Sequence, residues 1–313
     1  MNILDLALEF ALLVFVGIFI IRAKIVDQSF LKNMSRFVMK VALPCMIFNS
    51  IRAQHFGGDF KELFVIIGLA LIILAALAVT GTVYWLVTGR TLFGRCVIFS
   101  TMFSNYTYIG MAVVEKMFDA SGLFVYTVFT LPIRLVFYAA PSFLMKSSSK
   151  TEGKKTFKER ISPFISPPTV AVAIGLVFYF SGIGLPTFID STLKTIGSLA
   201  SPLGMLICGM SLAGVSVKSL SALKNPIGMV LVRNFIAPAV VIVVLYLLPV
   251  ESYIAQAVAI YGCVPVPSLI TAFAMGAGCS DEVCRDCSAG VLISTLLSIL
   301  TLPMWVSVVF AVL

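Results

Sequence analysis

The stretch Ser104-Asn105-Tyr106-Thr107-Tyr108-Ile109-Gly110 interrupts an apolar segment that runs from Cys96 to Met117. A second interruption, Gly262-Cys263-Val264-Pro265-Val266-Pro267-Ser268, lies about halfway through another apolar segment late in the chain. In hydrocarbon an unpaired backbone N–H or C=O costs several kcal/mol, so a helix breaks at mid-depth only where protein or a polar cavity satisfies the freed groups. Two such breaks in corresponding positions of two halves indicate the central binding site of a secondary transporter.

The composition is typical of a polytopic membrane protein. Of the 313 residues, 60% are hydrophobic and 12% are charged, and the mean hydropathy is +1.07. Soluble domains average about 25% charged residues, so lipid is expected to solvate most of this chain. A cleavable signal peptide begins with a basic region, whereas the first charges here are Asp5 and Glu9, so the first apolar segment is expected to remain as a span.

The apolar segments predict ten transmembrane helices, because about 20 apolar residues cross a bilayer core. Their bounds are roughly 3–21, 34–54, 63–88, 94–117, 122–145, 164–183, 192–215, 226–248, 252–277 and 288–312. A basic linker, 146–163, separates a first five-helix repeat, 1–145, from a second, 164–313. Thr130-Leu131-Pro132 and Thr301-Leu302-Pro303 match between the last spans of the two halves. With five spans each, the halves run in opposite directions, which is an inverted repeat.

Lysine and arginine are concentrated in alternate loops, and most of them lie in the linker and in the loops on its side of the membrane. The positive-inside rule then places these loops in the cytoplasm and both termini outside a cell membrane, inner or plasma. The net charge of +8 therefore favours the lipid surface rather than nucleic acid as the partner of the basic residues.

The two breaks supply the candidate substrate-binding residues. A helix that restarts after a break presents unpaired N–H groups and a partial positive charge, which favour a small organic anion. The simpler alternatives are a tolerated proline kink and an asparagine that serves helix packing. The predicted site residues are Asn105, Tyr106, Gly110, Pro265, Val266, Pro267, Ser268 and Arg134.

Ionisable side chains inside spans are functional candidates by default. Arg134 is expected either to neutralise a substrate carboxylate or to pair with Glu115. Lys40 and Arg233 lie nearer the cytoplasmic ends of their spans and are expected to extend towards that surface.

Other classes of function find little support. The chain has no zinc-protease, serine-hydrolase or Walker-type motif, so neither an enzyme nor a cofactor is predicted. Cys279, Cys284 and Cys287 have the spacing of three ligands of an iron–sulfur cluster, but a fourth is missing. We expect these residues to form the turn between the last two spans, without a metal.

Short motifs occur along nearly the whole chain. They are Val41-Ala42-Leu43-Pro44, Asn105 to Gly110, Ser166-Pro167-Pro168, Pro202 to Gly209, Pro265 to Ser268, and Ser294 to Ser298 with Leu302-Pro303. In the order and spacing of these motifs the chain resembles the auxin efflux carrier family, which includes bacterial carriers of malate and malonate and the PIN auxin exporters of plants. One departure is Met111-Ala112, where family members usually carry a proline.

This resemblance implies ten helices in two inverted repeats, with broken helices four and nine crossing at the substrate site. It also implies a homodimer whose scaffold part is fixed while a transport part moves like an elevator. The short linker is typical of microbial members. A sodium-coupled symporter of the bile-acid type, a ligand-sensing protein that does not transport and a passive channel remain the alternatives.

Overall fold

The computed structural model describes residues 3–52, 60–145, 167–213 and 224–313. Within these ranges every regular element is a helix and no strand occurs, so the predicted all-α fold class is confirmed. The predicted linker, 146–163, lies outside the described residues.

Fourteen α-helices and three short π-helical turns make up the described ranges. The π-helical turns are Val38–Ala42, Tyr106–Gly110 and Val232–Ile236, and each continues directly into the α-helix that follows. The α-helices are α1 Ile3–Arg22, α2 Gln28–Phe37, α3 Leu43–Arg52, α4 Phe60–Val87, α5 Leu92–Met102, α6 Met111–Leu144, α7 Pro167–Ser181, α8 Thr187–Ser198, α9 Ala200–Ala213, α10 Lys224–Leu231, α11 Ala237–Leu247, α12 Ser252–Cys263, α13 Ile270–Gly276 and α14 Asp281–Val312.

Side-chain caps fix the starts of several helices. Asp27 accepts a hydrogen bond from the N–H of Phe30 at the start of α2, and Thr91 accepts one from Gly94 at the start of α5. Ser280 caps α14 in the same way, so Cys279 lies in the turn before the last helix, whereas Cys284 and Cys287, predicted to form this turn, lie inside α14. Each cap satisfies an N–H group that has no partner within the helix.

Six stretches of the described residues are long and apolar enough to cross a membrane. They are 29–52, 62–87, 92–118, 120–141, 224–247 and 281–312. Predicted span nine is divided between α12 and α13, and predicted span seven is divided between α8 and α9. The total of ten spans and the inverted repeat therefore stay predictions, whereas several membrane-spanning helices are present.

The long helix α6 folds back on itself. A straight helix of 34 residues would be about 51 Å long, yet the rings of Tyr106, just before α6, and Phe137, near its end, are only 5.8 Å apart. The reversal lies near Gly122, because a Cβ atom there would overlap that of Phe118. The first limb, together with α5, corresponds to predicted span four, and the second limb corresponds to predicted span five.

The helices pack in two groups. The first group contains α1, α2, α3, α7, α8 and α9, with α1 along α9 and α3 against α7 and α8. The second group contains α4, α5, α6 and α10 to α14, with α4 against α5 and α12 against both α6 and α11. Each group draws helices from both predicted halves. The groups meet where α1 contacts α14, where α3 contacts α6, and where α9 contacts the turn Tyr106–Gly110.

Glycines allow the first group to pack closely. A methyl group added at Gly17 would meet the carbonyl of Leu206, and one added at Gly209 would meet the carbonyl of Val14. The backbones of α1 and α9 are therefore in direct contact, an arrangement common between membrane helices with small residues at their interface.

Candidate functional site

The first break separates α5 from the turn Tyr106–Gly110. Phe103, which follows α5, is extended with φ −117° and ψ 144°. Asn105 has φ −77° and ψ 48°, and the helix restarts after it. The interruption therefore lies inside the predicted segment, although no proline is present there. The local cause is a run of polar residues, of which Asn105 and Tyr108 hydrogen-bond outside the helix, to Ser268 and Ser35 respectively.

The second break separates α12 from α13. Val264 is extended, with φ −80° and ψ 148°, and regular helix returns only at Ile270. Pro265 and Pro267 have no N–H to continue a helical ladder, so these two residues are sufficient to end α12 where it ends.

Hydrogen bonds join the two breaks directly. The N–H of Asn105 donates to the carbonyl of Pro265 at 2.9 Å, and the Asn105 side-chain Nδ2 donates to the Ser268 hydroxyl at 2.9 Å. Backbone groups freed in one break thus find partners in the other. This mutual satisfaction is what a broken helix requires inside a membrane.

Helix α14 supports the second break from behind. The N–H of Val266 donates to the Ser294 hydroxyl at 3.0 Å, and that hydroxyl donates to the side-chain oxygen of Asn234 at 2.5 Å. Trp305 donates from its indole nitrogen to the Asn234 carbonyl at 2.8 Å. Because Ser294 and Asn234 are fully buried or nearly so, this chain fixes the position of the break.

A small cavity lies against both breaks. Its volume is about 30 Å³, which holds roughly two water molecules. Met39, from the first helix group, closes one side, and the residues of the second group supply polar hydroxyls and aromatic rings. The second-group lining comprises Ser104, Asn105, Tyr106, Thr107, Tyr108, Phe137, Pro267, Ser268 and Leu269.

Arg134 lies on the second limb of α6, next to Tyr106, which lines this cavity. Its side chain is 5% exposed, and its guanidinium carbon is 5.8 Å from the centroid of the Tyr106 ring. Nε and Nη1 are buried and have no hydrogen-bond partner in the described part of the chain. The predicted alternative, an ion pair with Glu115, does not occur between these two described residues. Arg134 is thus a buried cation with unused donors.

The predicted position of Arg233 is wrong. Its side chain does not reach a membrane surface but is completely buried in the turn Val232–Ile236. It donates to backbone carbonyls in the last turn of α5 and at the end of α12. These acceptors are distant in sequence, so counting residues from the end of a span could not reveal them.

The eight predicted site residues all lie at or beside the two joined breaks. Six of them form the joint or line the cavity: Asn105, Tyr106, Pro265, Val266, Pro267 and Ser268. Tyr106 contacts Arg134, and Gly110 approaches the Tyr126 hydroxyl so closely that a methyl group would not fit. Sequence reasoning missed the support that Asn234 and Ser294 give to the second break, although the dipeptide Arg233-Asn234 inside an apolar segment was a usable signal. The role of the eight predicted site residues in substrate binding stays a prediction.

Within the described ranges no group of histidine, cysteine or acidic side chains is arranged to hold a metal ion. Cys279 and Cys284 instead donate weakly to backbone carbonyls of Met145 and Cys279, respectively.

Comparison with known proteins gives two matches over nearly the whole chain. Residues 3–306 match the family model described as membrane transport protein. An uncharacterized transporter of Methanothermobacter thermautotrophicus is 24% identical over 315 residues, and the match covers 96% of each chain.

Proposed function

Since the chain belongs to the auxin efflux carrier family of membrane transport proteins, we propose that it is a secondary carrier for a small organic anion. The observation that carries this proposal is the buried Arg134, whose Nε and Nη1 have no acceptor among the described residues. The Tyr106 ring, which Arg134 contacts, lines the same cavity as Asn105 and Ser268 of the joined breaks.

A buried guanidinium with unused donors is unstable unless something pairs with it. An unsatisfied buried donor costs about 1–3 kcal/mol, and more when it is charged. The planar fork of arginine matches a carboxylate in two parallel hydrogen bonds, which are roughly twice as strong as neutral ones. A carboxylate substrate would therefore remove the cost that the empty protein bears at Arg134.

The helix start next to Arg134 favours the same ligand. The helix restarts at Tyr106 after the first break, and the Tyr106 ring lies 5.8 Å from the Arg134 guanidinium carbon. The first N–H groups of a helix carry about half a unit of positive charge, which attracts anions. This helix start and the guanidinium make the region electropositive, and no acidic side chain is among the residues that line the cavity.

The rest of the lining suits an apolar body behind the carboxylate. Tyr106, Tyr108 and Phe137 present rings, and Thr107 and Ser268 present hydroxyls. This mixture fits a dicarboxylate or an auxin-like aromatic acid, in which one polar end is held and the remainder packs against rings.

The cavity must enlarge to admit such a molecule, because about two water molecules fill it. Met39 belongs to the first helix group, whereas the breaks belong to the second. Movement of the second group along the first would open the cavity, and this motion is the one that an elevator-type carrier uses. We propose this mechanism on the position of the cavity between the two groups.

The test is the flux of labelled dicarboxylates and indole acids in proteoliposomes. Asn105→Ala and Arg134→Gln should each lower the flux about tenfold or more, since each removes at least one hydrogen bond of about 1.5–3 kcal/mol to a charged ligand. The matched control is Arg95→Gln, because Arg95 also lies 5.8 Å from an aromatic centroid, that of Trp85, but away from the breaks.

Two results would contradict the proposal. Flux that is unchanged in Arg134→Gln removes this residue from the site. Saturable anion binding without any flux, measured with the same vesicles, assigns the protein to ligand sensing instead of transport.

A further inference from the structure

Arg233 lies at the ends of the two helices that precede the breaks. Its side chain has no solvent exposure. Nε donates to Val264 at 2.9 Å, Nη1 to Thr101 at 2.9 Å, and Nη2 to Tyr261 at 2.5 Å and to Gly262 at 3.3 Å. All four acceptors are backbone carbonyls, and they come from both broken helices.

These carbonyls are the ones that a helix leaves unpaired at its end. Thr101 lies in the last turn of α5, which ends at Met102. Tyr261 and Gly262 lie in the last turn of α12, and Val264 follows it. The last four C=O groups of a helix have no internal partner and carry about half a unit of negative charge in total.

The charges balance at this point. Two helix ends with about −0.5 charge each would repel one another in a membrane interior, and together they match the single positive charge of one guanidinium. No described carboxylate forms an ion pair with Arg233. The ring of Tyr261, 5.7 Å from the guanidinium carbon, and the Tyr261 hydroxyl, which donates to the Met102 carbonyl at 2.6 Å, complete the cluster.

Backbone carbonyls at the ends of broken helices form the kind of oxygen cage that coordinates a coupling cation in other secondary transporters. Here a side chain of the protein occupies this cage. We propose that Arg233 is a tethered cation that replaces a coupling ion: it holds the two helix ends together permanently and makes anion transport independent of sodium. This inference rests on the carrier function proposed above and adds its ion dependence.

Arg233 is a positioning residue in this scheme, because it touches the ends of the broken helices and not the cavity lined by Asn105 and Ser268. Removal of the positive charge should leave an empty cage of carbonyls. A small planar cation of the same shape, the free guanidinium ion, should then fill the cage, whereas urea, which has nearly the same shape and no charge, should not.

Three measurements test the proposal. First, wild-type flux should be the same when sodium is replaced by choline, and a requirement for sodium would overturn the proposal. Second, Arg233→Lys should keep most of the flux and Arg233→Gln should lose about tenfold or more, because only lysine retains the charge between the helix ends. Equal flux in these two variants would show that charge is not what matters.

Third, thermal unfolding of purified Arg233→Ala in detergent should shift to higher temperature with millimolar guanidinium and not with urea. Wild type, which has no empty cage, is the control and should not shift. Absence of a guanidinium-specific shift in Arg233→Ala contradicts the tethered-cation assignment. If Arg233→Ala does not fold, the same thermal measurement is made on Arg233→Lys and Arg233→Gln, and the comparison of these two variants decides the question.

The thermal measurements need no substrate, so they separate this inference from the carrier proposal. A wild type without flux for any anion, combined with rescue of Arg233→Ala by guanidinium, would refute the carrier function and keep the role of Arg233 at the helix ends.

Discussion

Replacement of Arg134 by methionine should stabilise the protein and abolish its response to anions. Arg134 is 5% exposed, and two of its nitrogens have no acceptor within the described ranges. An arginine kept for stability would destabilise the fold when removed. An arginine kept for a ligand should do the reverse in the empty protein, so the sign of the change distinguishes the two roles.

The expected magnitude follows from the contacts of Arg134. Each unsatisfied buried donor costs about 1–3 kcal/mol, and the contact with the Tyr106 ring returns about 0.5–2 kcal/mol. Methionine is shorter than arginine, but it is unbranched and flexible like the arginine stem and has no donor to bury. The free energy of unfolding should therefore rise by roughly 1–3 kcal/mol. In domains somewhat smaller than this chain, each additional kcal/mol raises the unfolding temperature by about 2–4 °C.

The assay is thermal unfolding in detergent, followed by intrinsic fluorescence, with and without a saturating anion that the wild type transports. A ligand at about 100 times its Kd stabilises the folded protein by about 2.7 kcal/mol. Wild type should gain this amount, and Arg134→Met should gain almost none, although it begins from the higher temperature. Parallel flux measurements should show loss of transport in the variant.

The control is Arg95→Met, which removes an arginine with the same ring geometry from the first turn of α5. It should retain the ligand response of the wild type. A fall of the unfolding temperature in Arg134→Met, together with an unchanged ligand response, would falsify the reasoning, because Arg134 would then be a structural residue.

Two further predictions concern close contacts. In Gly110→Ala the new methyl group meets the Tyr126 hydroxyl, so the unfolding temperature and the flux should both fall. Tyr126→Phe removes this hydroxyl, which has no hydrogen-bond partner in the described part of the chain. In the double variant this second substitution should therefore restore much of the loss. Additive effects in this double-mutant cycle would argue against the contact. In Gly209→Ala the methyl group meets the backbone of α1, which should lower the free energy of unfolding by about 1–3 kcal/mol. The control is Gly68→Ala, where a methyl group meets nothing within 4 Å and should be neutral or stabilising. Equal unfolding temperatures of the two variants would contradict the close packing of α1 on α9.

The positions of the breaks could be predicted from the sequence because their causes are local. Pro265 and Pro267 remove two N–H groups within three residues, and this loss ends a helix whatever surrounds it. The segment around Asn105 was predictable for a related reason, since consecutive polar side chains are costly in hydrocarbon unless they face protein or a cavity.

The cage around Arg233 could not be predicted because its acceptors are not local. The residues that accept its hydrogen bonds, Thr101 and Tyr261 to Val264, are about 30 to 130 positions away, and each contributes only a backbone carbonyl. Carbonyls are the same in every residue, so the sequence has no pattern that marks them. Arginines near the end of a span usually extend to the membrane surface, and the sequence therefore predicted this position for Arg233. The hydrogen bonds of the folded protein instead hold Arg233 in the interior.

The two buried arginines differ in what surrounds them, and this difference gives the crossing of the breaks a direction. On the carbonyl side, Arg233 meets four backbone acceptors, so its charge is already compensated. On the amide side, Arg134 and the restarting helix at Tyr106 are both electropositive, and the Nε and Nη1 of Arg134 are unsatisfied. In the carrier proposed above, an anion is attracted to the amide side of the joined breaks, and the compensated side holds the broken helices together.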